Sequence, residues 1–186
     1  MQLVEPIRNA RDLDNLKRYL KERNLRDWAL VTLGCNSGLR IGDLLRLRVQ
    51  DIAEGPKIRD RLQVTERKTG KPKRFPLGPK VQRVLAEYLK ATGLQPDDWL
   101  FPSPKGGALG TRQAERILSA GARAVGITEP ISTHSLRKTF GYHLYQRGVD
   151  VTRIQAMLNH ASPQVTLRYI GITQEELDDL YLSLDL

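Results

Sequence analysis

The chain has 186 residues, of which 40% are apolar and 27% charged. That suffices for one self-supporting core, and no apolar run approaches the length of a bilayer crossing. Thirty Lys and Arg against 21 Asp and Glu give +9 and a pI near 9.9, a balance that attracts polyanions, duplex DNA above all.

The N-terminus, MQLVEPIRNARD, carries charges where a secretory leader needs an apolar stretch, which predicts a cytoplasmic protein. Asn9 caps a first helix with Leu13, Leu16 and Leu20 on one face. Leu25 to Cys35 is apolar nearly all round, so a buried helix is expected, with Cys35 as a small core residue in a reducing compartment. Asn36-Ser37-Gly38 ends it, and a short helix begins near Arg40 with Ile41, Leu44 and Leu45 inward. Between Ile58 and Leu77 the period changes. Leu62 and Val64 alternate with polar residues, Lys68-Thr69-Gly70-Lys71 reads as a turn, and Phe75 and Leu77 resume. This predicts a small antiparallel hairpin, with room for a third strand over Ile52–Ile58.

Helical spacing returns after Pro79, through Val81, Val84, Leu85, Tyr88 and Leu89 to Gly93. A Pro- and Gly-rich loop, 101–110, leads to a helix from Thr111 to about Val125. His134 to Gln146 carries Leu136, Phe140 and Leu144 on one stripe and closes at Gly148. Asp150 caps a helix ending near Leu158, Ser162-Pro163 starts another, and Thr173 with Glu176 forms a capping box for a last one. That last helix places Leu177, Leu180, Tyr181 and Leu184 at helical spacing. The sum is a single, mostly helical α+β domain over 1–186, with a small antiparallel sheet at one edge. Residues 1–24 form an N-terminal helix and extension, 25–170 the core, and 171–186 an acidic helix. The five acids and no Lys or Arg after Ile170, against +9 overall, leave +14 on residues 1–170.

Four strings hold chemistry. In THSLRKTF, His134 and Arg137 share a face at a helix start, where free N–H groups favour a phosphate. In SGLRIGDLLRL, Arg40 stands among apolar residues and needs a partner or an anion; Asp43, one turn on, is a candidate to orient it. In ERKTGKPKRFP, Lys68 is the first of three candidates on a hairpin turn, followed by Lys71 and Lys73. In MLNHASPQVTLRYI, His160 follows a helix end and Tyr169 lies nine residues further. Each string alone is compatible with local surface contacts or packing. Three His and one Cys, with neither His-Glu-x-x-His nor Cys-x-x-Cys, do not suggest a metal site. His143 points to another helix face and is assigned no role, and Tyr142, Tyr145 and Tyr181 read as packing or surface.

Taken in order, Arg40, Lys68, His134, Arg137, His160 and Tyr169, with GLRIGDLLRL, KTGK…FPL, THSLRKTFG and LNHASPQVTLRYIG around them, resemble the tyrosine recombinase (phage integrase) family from about Leu25 to Tyr181. The resemblance implies that Tyr169 attacks a scissile phosphate, forming a 3′-phosphotyrosyl bond and freeing a 5′-hydroxyl. His134 would accept or steer the tyrosine proton, Arg40 and Arg137 would hold the non-bridging oxygens, Lys68 would protonate the leaving oxygen, and His160 would donate a hydrogen bond to the phosphate. No cofactor is implied. The implied partners are double-stranded DNA, further copies of the chain in a tetramer on DNA, and an accessory DNA-binding protein, with no membrane. The implied setting is the nucleoid of a bacterium, or a phage or mobile element within one.

The 24 residues before Leu25 are too few for the DNA-clamping domain most of the family carries, so the chain resembles short, single-domain members or a piece of something longer. Three rivals are weighed: a type IB topoisomerase, a non-catalytic DNA-binding accessory protein, and a basic helical interaction domain. The match of the histidine and tyrosine strings argues against the first, and the complete set of six against the second. The acidic C-terminal helix would be repelled by DNA; it is expected to dock on a neighbouring subunit, with packing on its own domain as the bland alternative.

Overall fold

The computed structural model describes residues 4–172, 176, 178 and 182–184. Chain order gives α1 (Ala10–Arg23), α2 (Leu25–Ser37), α3 (Ile41–Leu44), α4 (Val49–Ile52), β1 (Ala53–Glu54), β2 (Lys57–Ile58), β3 (Arg61–Thr65), β4 (Pro72–Pro76), α5 (Pro79–Thr92), α6 (Thr111–Ala124), α7 (Thr133–Gln146), α8 (Val151–Leu158) and α9 (Pro163–Ile170). The expected caps are present. Asn9, Asp150 and Ser162 accept backbone N–H bonds from Arg11, Thr152 and Val165, which satisfies donors that a helix start leaves unpaired.

α2 is the central helix, with Ala29, Leu30, Val31 and Leu33 at 1% exposure or less; α1, α5 and α7 pack around it. Two of its glycines are required by closeness. A Cβ on Gly34 would lie 2.7 Å from a Leu136 methyl, and Gly38, at φ +59°, ends the helix against the Phe140 ring. Cys35 is buried as expected, and burial pushes its thiol up to about 11.

The strands differ from expectation. The third strand does not join the hairpin; two separate two-stranded sheets form. Ala53–Glu54 folds back on Lys57–Ile58 through a turn at Gly55, φ +57°, so this segment pairs with itself. The main hairpin pairs Leu62 with Phe75 and Val64 with Lys73. Opposed residues share a face, so Lys73 points to the side of Leu62 and Phe75.

α7, α8 and α9 close a second, smaller cluster around Tyr142, Ile154, Leu158 and Ile170. An N-terminal strap crosses this end: Ile7 N–H donates to Thr139 Oγ1 (2.8 Å), and His143 Nε2 meets Ile7 O (3.0 Å). Arg8 donates to Gly171 O (2.7 Å), just behind α9. The capping box at Thr173 and the stripe through Leu177, Leu180 and Tyr181 lie outside the described residues. Glu176 accepts from Tyr142 Oη (3.2 Å), Gln146 Nε2 (3.2 Å) and Arg8 NH1 (3.4 Å) of its own domain.

Candidate active site

Ser132 caps α7 by accepting from His134 N–H (3.3 Å), and Ser135 Oγ accepts from Ser132 N–H in return (3.1 Å). His134 therefore sits exposed on the first turn, while Arg137, one turn in, is 3% exposed. Arg137 NH1 donates to Gly38 O (2.5 Å), and NH2 donates to Leu158 O. These carbonyls lie at the C-terminal ends of α2 and α8, where a cation is favoured. The Tyr169 hydroxyl lies within electrostatic reach of Arg137.

Arg40 stands in extended backbone just before α3. Its partner is not the expected Asp43. NH1 lies 2.8 Å from Glu66 Oε2, while Asp43 Oδ1 accepts the Arg67 N–H (3.0 Å) and so holds the start of the hairpin turn. Asp43 sits on the inward face of α3, within reach of the hairpin backbone, whereas β3 ends at Arg40 and delivers Glu66 there.

Of the three hairpin lysines, Lys68 and Lys71 are exposed on the turn. Lys73 is the one beside the arginines, its Nζ donating to Ser37 O (3.2 Å) and Gly38 O (3.4 Å). Burial and the charges of Arg137 and Arg40 lower it to about 8, against the pull of Glu66 and Asp43.

Behind them, α8 ends at Asn159 in the left-handed region (φ 52°), and His160 follows. Its ring meets Tyr169 edge-on with centroids 4.8 Å apart. Burial, with Arg137 and Arg40, lowers His160 to about 4, so the ring is neutral at pH 7. Its Nδ1 lies 3.1 Å from Thr166 Oγ1, which lies 3.2 Å from Ser162 O. The neutral ring carries one N–H, and the Thr166 hydroxyl, donor or acceptor, meets whichever form Nδ1 takes. Burial raises the Tyr169 hydroxyl above 10, with Arg137 and Arg40 pulling the other way. Lys138 Nζ lies 5.6 Å from the Tyr169 ring.

Arg40, Arg137, His160 and Tyr169 thus converge, with Lys73, while His134 is exposed on the first turn of α7 and Lys68 on the hairpin turn. Sequence reasoning missed Glu66, Asn159 and Thr166, and gave Lys73 only as an alternative. The alternation through Leu62, Val64 and Phe75 contained the signal for Lys73; nothing in the sequence marked the other three. The cluster offers two fixed guanidiniums and an ammonium to an anion, beside a phenol and an unprotonated imidazole nitrogen. That set suits nucleophilic attack on a phosphodiester.

Residues 9–176 match the phage integrase family. The "Probable integrase/recombinase YoeC" of Bacillus subtilis (strain 168) is 42% identical over 176 residues, covering 94% of this chain and 93% of YoeC. "Tyrosine recombinase XerD" of Corynebacterium glutamicum is 33% identical over 162 residues, covering 85% of the chain and 52% of XerD. The chain thus spans about half the length of that relative. Among solved structures, XerA recombinase is similar with a TM-score of 0.79, over 100% of this chain and 65% of XerA, at 22% identity. A lambda integrase dimer bound to a COC′ core site gives 0.71, over 93% of this chain and 51% of that one, at 19% identity. At these identities the structural likeness is one of fold.

Proposed function

The chain belongs to the phage integrase family and is a tyrosine-type recombinase, and from that premise we propose that it cuts and rejoins duplex DNA through Tyr169. The observation that carries this reading is the Tyr169 hydroxyl in electrostatic reach of buried Arg137 and of Arg40, with His160 against the ring.

In the reaction, Tyr169 Oη bonds to phosphorus and the bond from phosphorus to the 5′-oxygen breaks. A phenol whose pKa burial raises needs a base. Exposed His134 takes or steers that proton, and His160, whose lowered pKa makes it a poor base for a phenol, hydrogen-bonds a non-bridging oxygen. Arg40 and Arg137 meet the charge that builds on the non-bridging oxygens. Lys68 gives a proton to the leaving 5′-oxygen, reaching over the bound strand from its exposed turn. A second reading gives that role to Lys73, favoured by its place at the arginines and its lowered pKa. The phosphotyrosyl bond conserves the energy of the broken phosphodiester, so a different 5′-hydroxyl can attack it without ATP. Tetrameric assembly, help from an accessory DNA-binding protein and a cytoplasmic, nucleoid-associated setting belong to the same reading; no helix among the described residues is long and apolar enough to cross a membrane.

A plasmid carrying two target sites, selected from a random-sequence library by binding to the full chain, tests the reading. Recombinant circles from the wild type and none from Tyr169→Phe are expected. Relaxation without exchange would instead indicate topoisomerase chemistry. A 5′-phosphorothiolate, whose leaving thiolate needs no proton, should rescue Lys68→Ala but not Arg137→Ala; rescue of Lys73→Ala alone would move the acid to Lys73.

A further inference from the structure

We propose that Glu66 is a positioning residue of the strand-transfer site, a buried carboxylate that sets Arg40 and ties the lysine hairpin and the His160 loop to it. The proposal rests on the reading that Arg40 and Arg137 receive the scissile phosphate.

Glu66 is 1% exposed, an unusual place for a carboxylate unless it is paired. Its Oε2 lies 2.8 Å from Arg40 NH1 and accepts from Thr69 Oγ1 (2.9 Å) and Asn159 Nδ2 (3.1 Å). Oε1 lies 3.9 Å from Arg137 NH1. Its backbone closes the hairpin turn: Glu66 N–H donates to Lys71 O (2.9 Å), and Gly70 N–H donates to Glu66 O (2.8 Å). One side chain therefore joins both arginines, the turn that carries Lys68, and the residue immediately before His160. Burial pushes the carboxyl pKa up, but hydrogen bonds from Asn159 and Thr69 and the ion pair with Arg40 hold it at about 2, so it is ionised at neutral pH.

Burial also separates this role from that of a stand-in anion filling the phosphate site. The Glu66 side chain is 2% exposed and that of Arg40 is 26% exposed. The carboxylate lies behind the guanidinium, and a phosphate arriving from solvent meets the open face of Arg40. Glu66 then stays in place while the reaction proceeds, fixing the fork that must meet the developing charge. A misplacement of about 1 Å in such a fork costs roughly 100-fold in rate.

The test uses the full chain and a nicked suicide substrate, with binding and single-turnover cleavage measured separately. Glu66→Gln keeps the shape and removes one negative charge beneath the arginines. Binding should be equal or tighter, with a log–log salt slope steeper by up to about 0.9, while cleavage of the bound complex falls roughly 100-fold. A neutral methylphosphonate at the scissile position asks less of the arginines, so there the deficit should shrink below about tenfold; a merely structural defect would be the same on both substrates. Glu66→Gln cleaving the phosphodiester at the wild-type rate, or losing binding and cleavage together, overturns the proposal. Arg40→Ala serves as the control: if it too cleaves like the wild type, the underlying reading has failed instead. Should Glu66→Gln not fold, Thr69→Val carries the test from the exposed turn. It should lose several-fold in cleavage with binding intact, and unchanged cleavage overturns the proposal.

Discussion

The larger hydrophobic cluster and the smaller one hold different halves of the chemistry. The larger, through α1, α2, α5, α6 and the strands, includes Leu16, Leu30, Leu33, Leu85, Tyr88 and Leu118, each at 1% exposure or less, and carries Arg40, Glu66 and Lys73. The smaller rests on four buried residues, Tyr142, Ile154, Leu158 and Ile170, and carries His160 and Tyr169. At roughly 1.5–3 kcal/mol per fully buried large apolar side chain, the second cluster has little stability of its own. The proposed anion-binding charges thus sit on a rigid base, and Tyr169, the proposed nucleophile, sits on a lightly held one. Arg137 spans the seam, bonded to Gly38 O on one side and to Leu158 O on the other.

Breaking the seam should have the largest effect. Arg137→Ala leaves Glu66 short of a cation, Leu158 O without its side-chain donor and Gly38 O with Lys73 alone. Removing one partner from such a buried cluster costs about 3–5 kcal/mol. Urea unfolding should show that loss, with the tryptophan signal from Trp28, in the large cluster, unfolding after hydrogen-exchange protection of α9 is gone. Coincident transitions would mean the halves are one cooperative unit.

Two glycines sharpen the comparison at a smaller scale. A Cβ on Gly141 would lie 2.6 Å from Ile170 Cγ2 and 3.1 Å from a Leu158 methyl; one on Gly34 would lie 2.7 Å from the tip of Leu136. Overpacking costs about 1–3 kcal/mol. Gly34→Ala should lower the melting temperature by about 2–10 °C and leave cleavage by the folded protein near normal. Gly141→Ala should move melting less, keep DNA binding, and lose cleavage roughly tenfold or more, because it shifts the helix that carries Tyr169. The opposite assignment of effects would erase the distinction between the clusters.

The smallest effect is with pH. His160, near 4 when folded against an ordinary 6.5, stays neutral while the unfolded chain takes a proton. Stability present above 6.5 is therefore lost progressively down to about 4. Glu66, near 2 against 4.5, adds a second loss as pH falls from 4.5 to 2. His160→Asn should remove only the first loss, read as melting temperature against pH.

The helices of both clusters were legible because capping residues and apolar stripes are local signals, as at Asn9, Asp150 and Ser162. Arg40, Arg137, His160 and Tyr169, which the structure brings together, were picked out by their order and surrounding strings, as was His134, which stands exposed at the start of α7. The partner of Arg40 was not. Asp43 was the near choice in sequence, but the pairing depends on where β3 ends, and a hairpin's reach is a tertiary fact. The self-paired strands at 53–58 were missed because the turn at Gly55 competes with pairing to the long hairpin, and strand propensity alone does not decide between them. The contact of His160 with a threonine hydroxyl six residues on depends on where α9 sets that threonine.

The central claim is that Tyr169 is the nucleophile, and the most direct measurement is mass mapping of the covalent adduct trapped on a nicked suicide substrate. A single oligonucleotide-bearing peptide containing Tyr169, absent from Tyr169→Phe, is the predicted result. An adduct on Tyr142, Tyr145 or Tyr181, or one that persists in Tyr169→Phe, would contradict it.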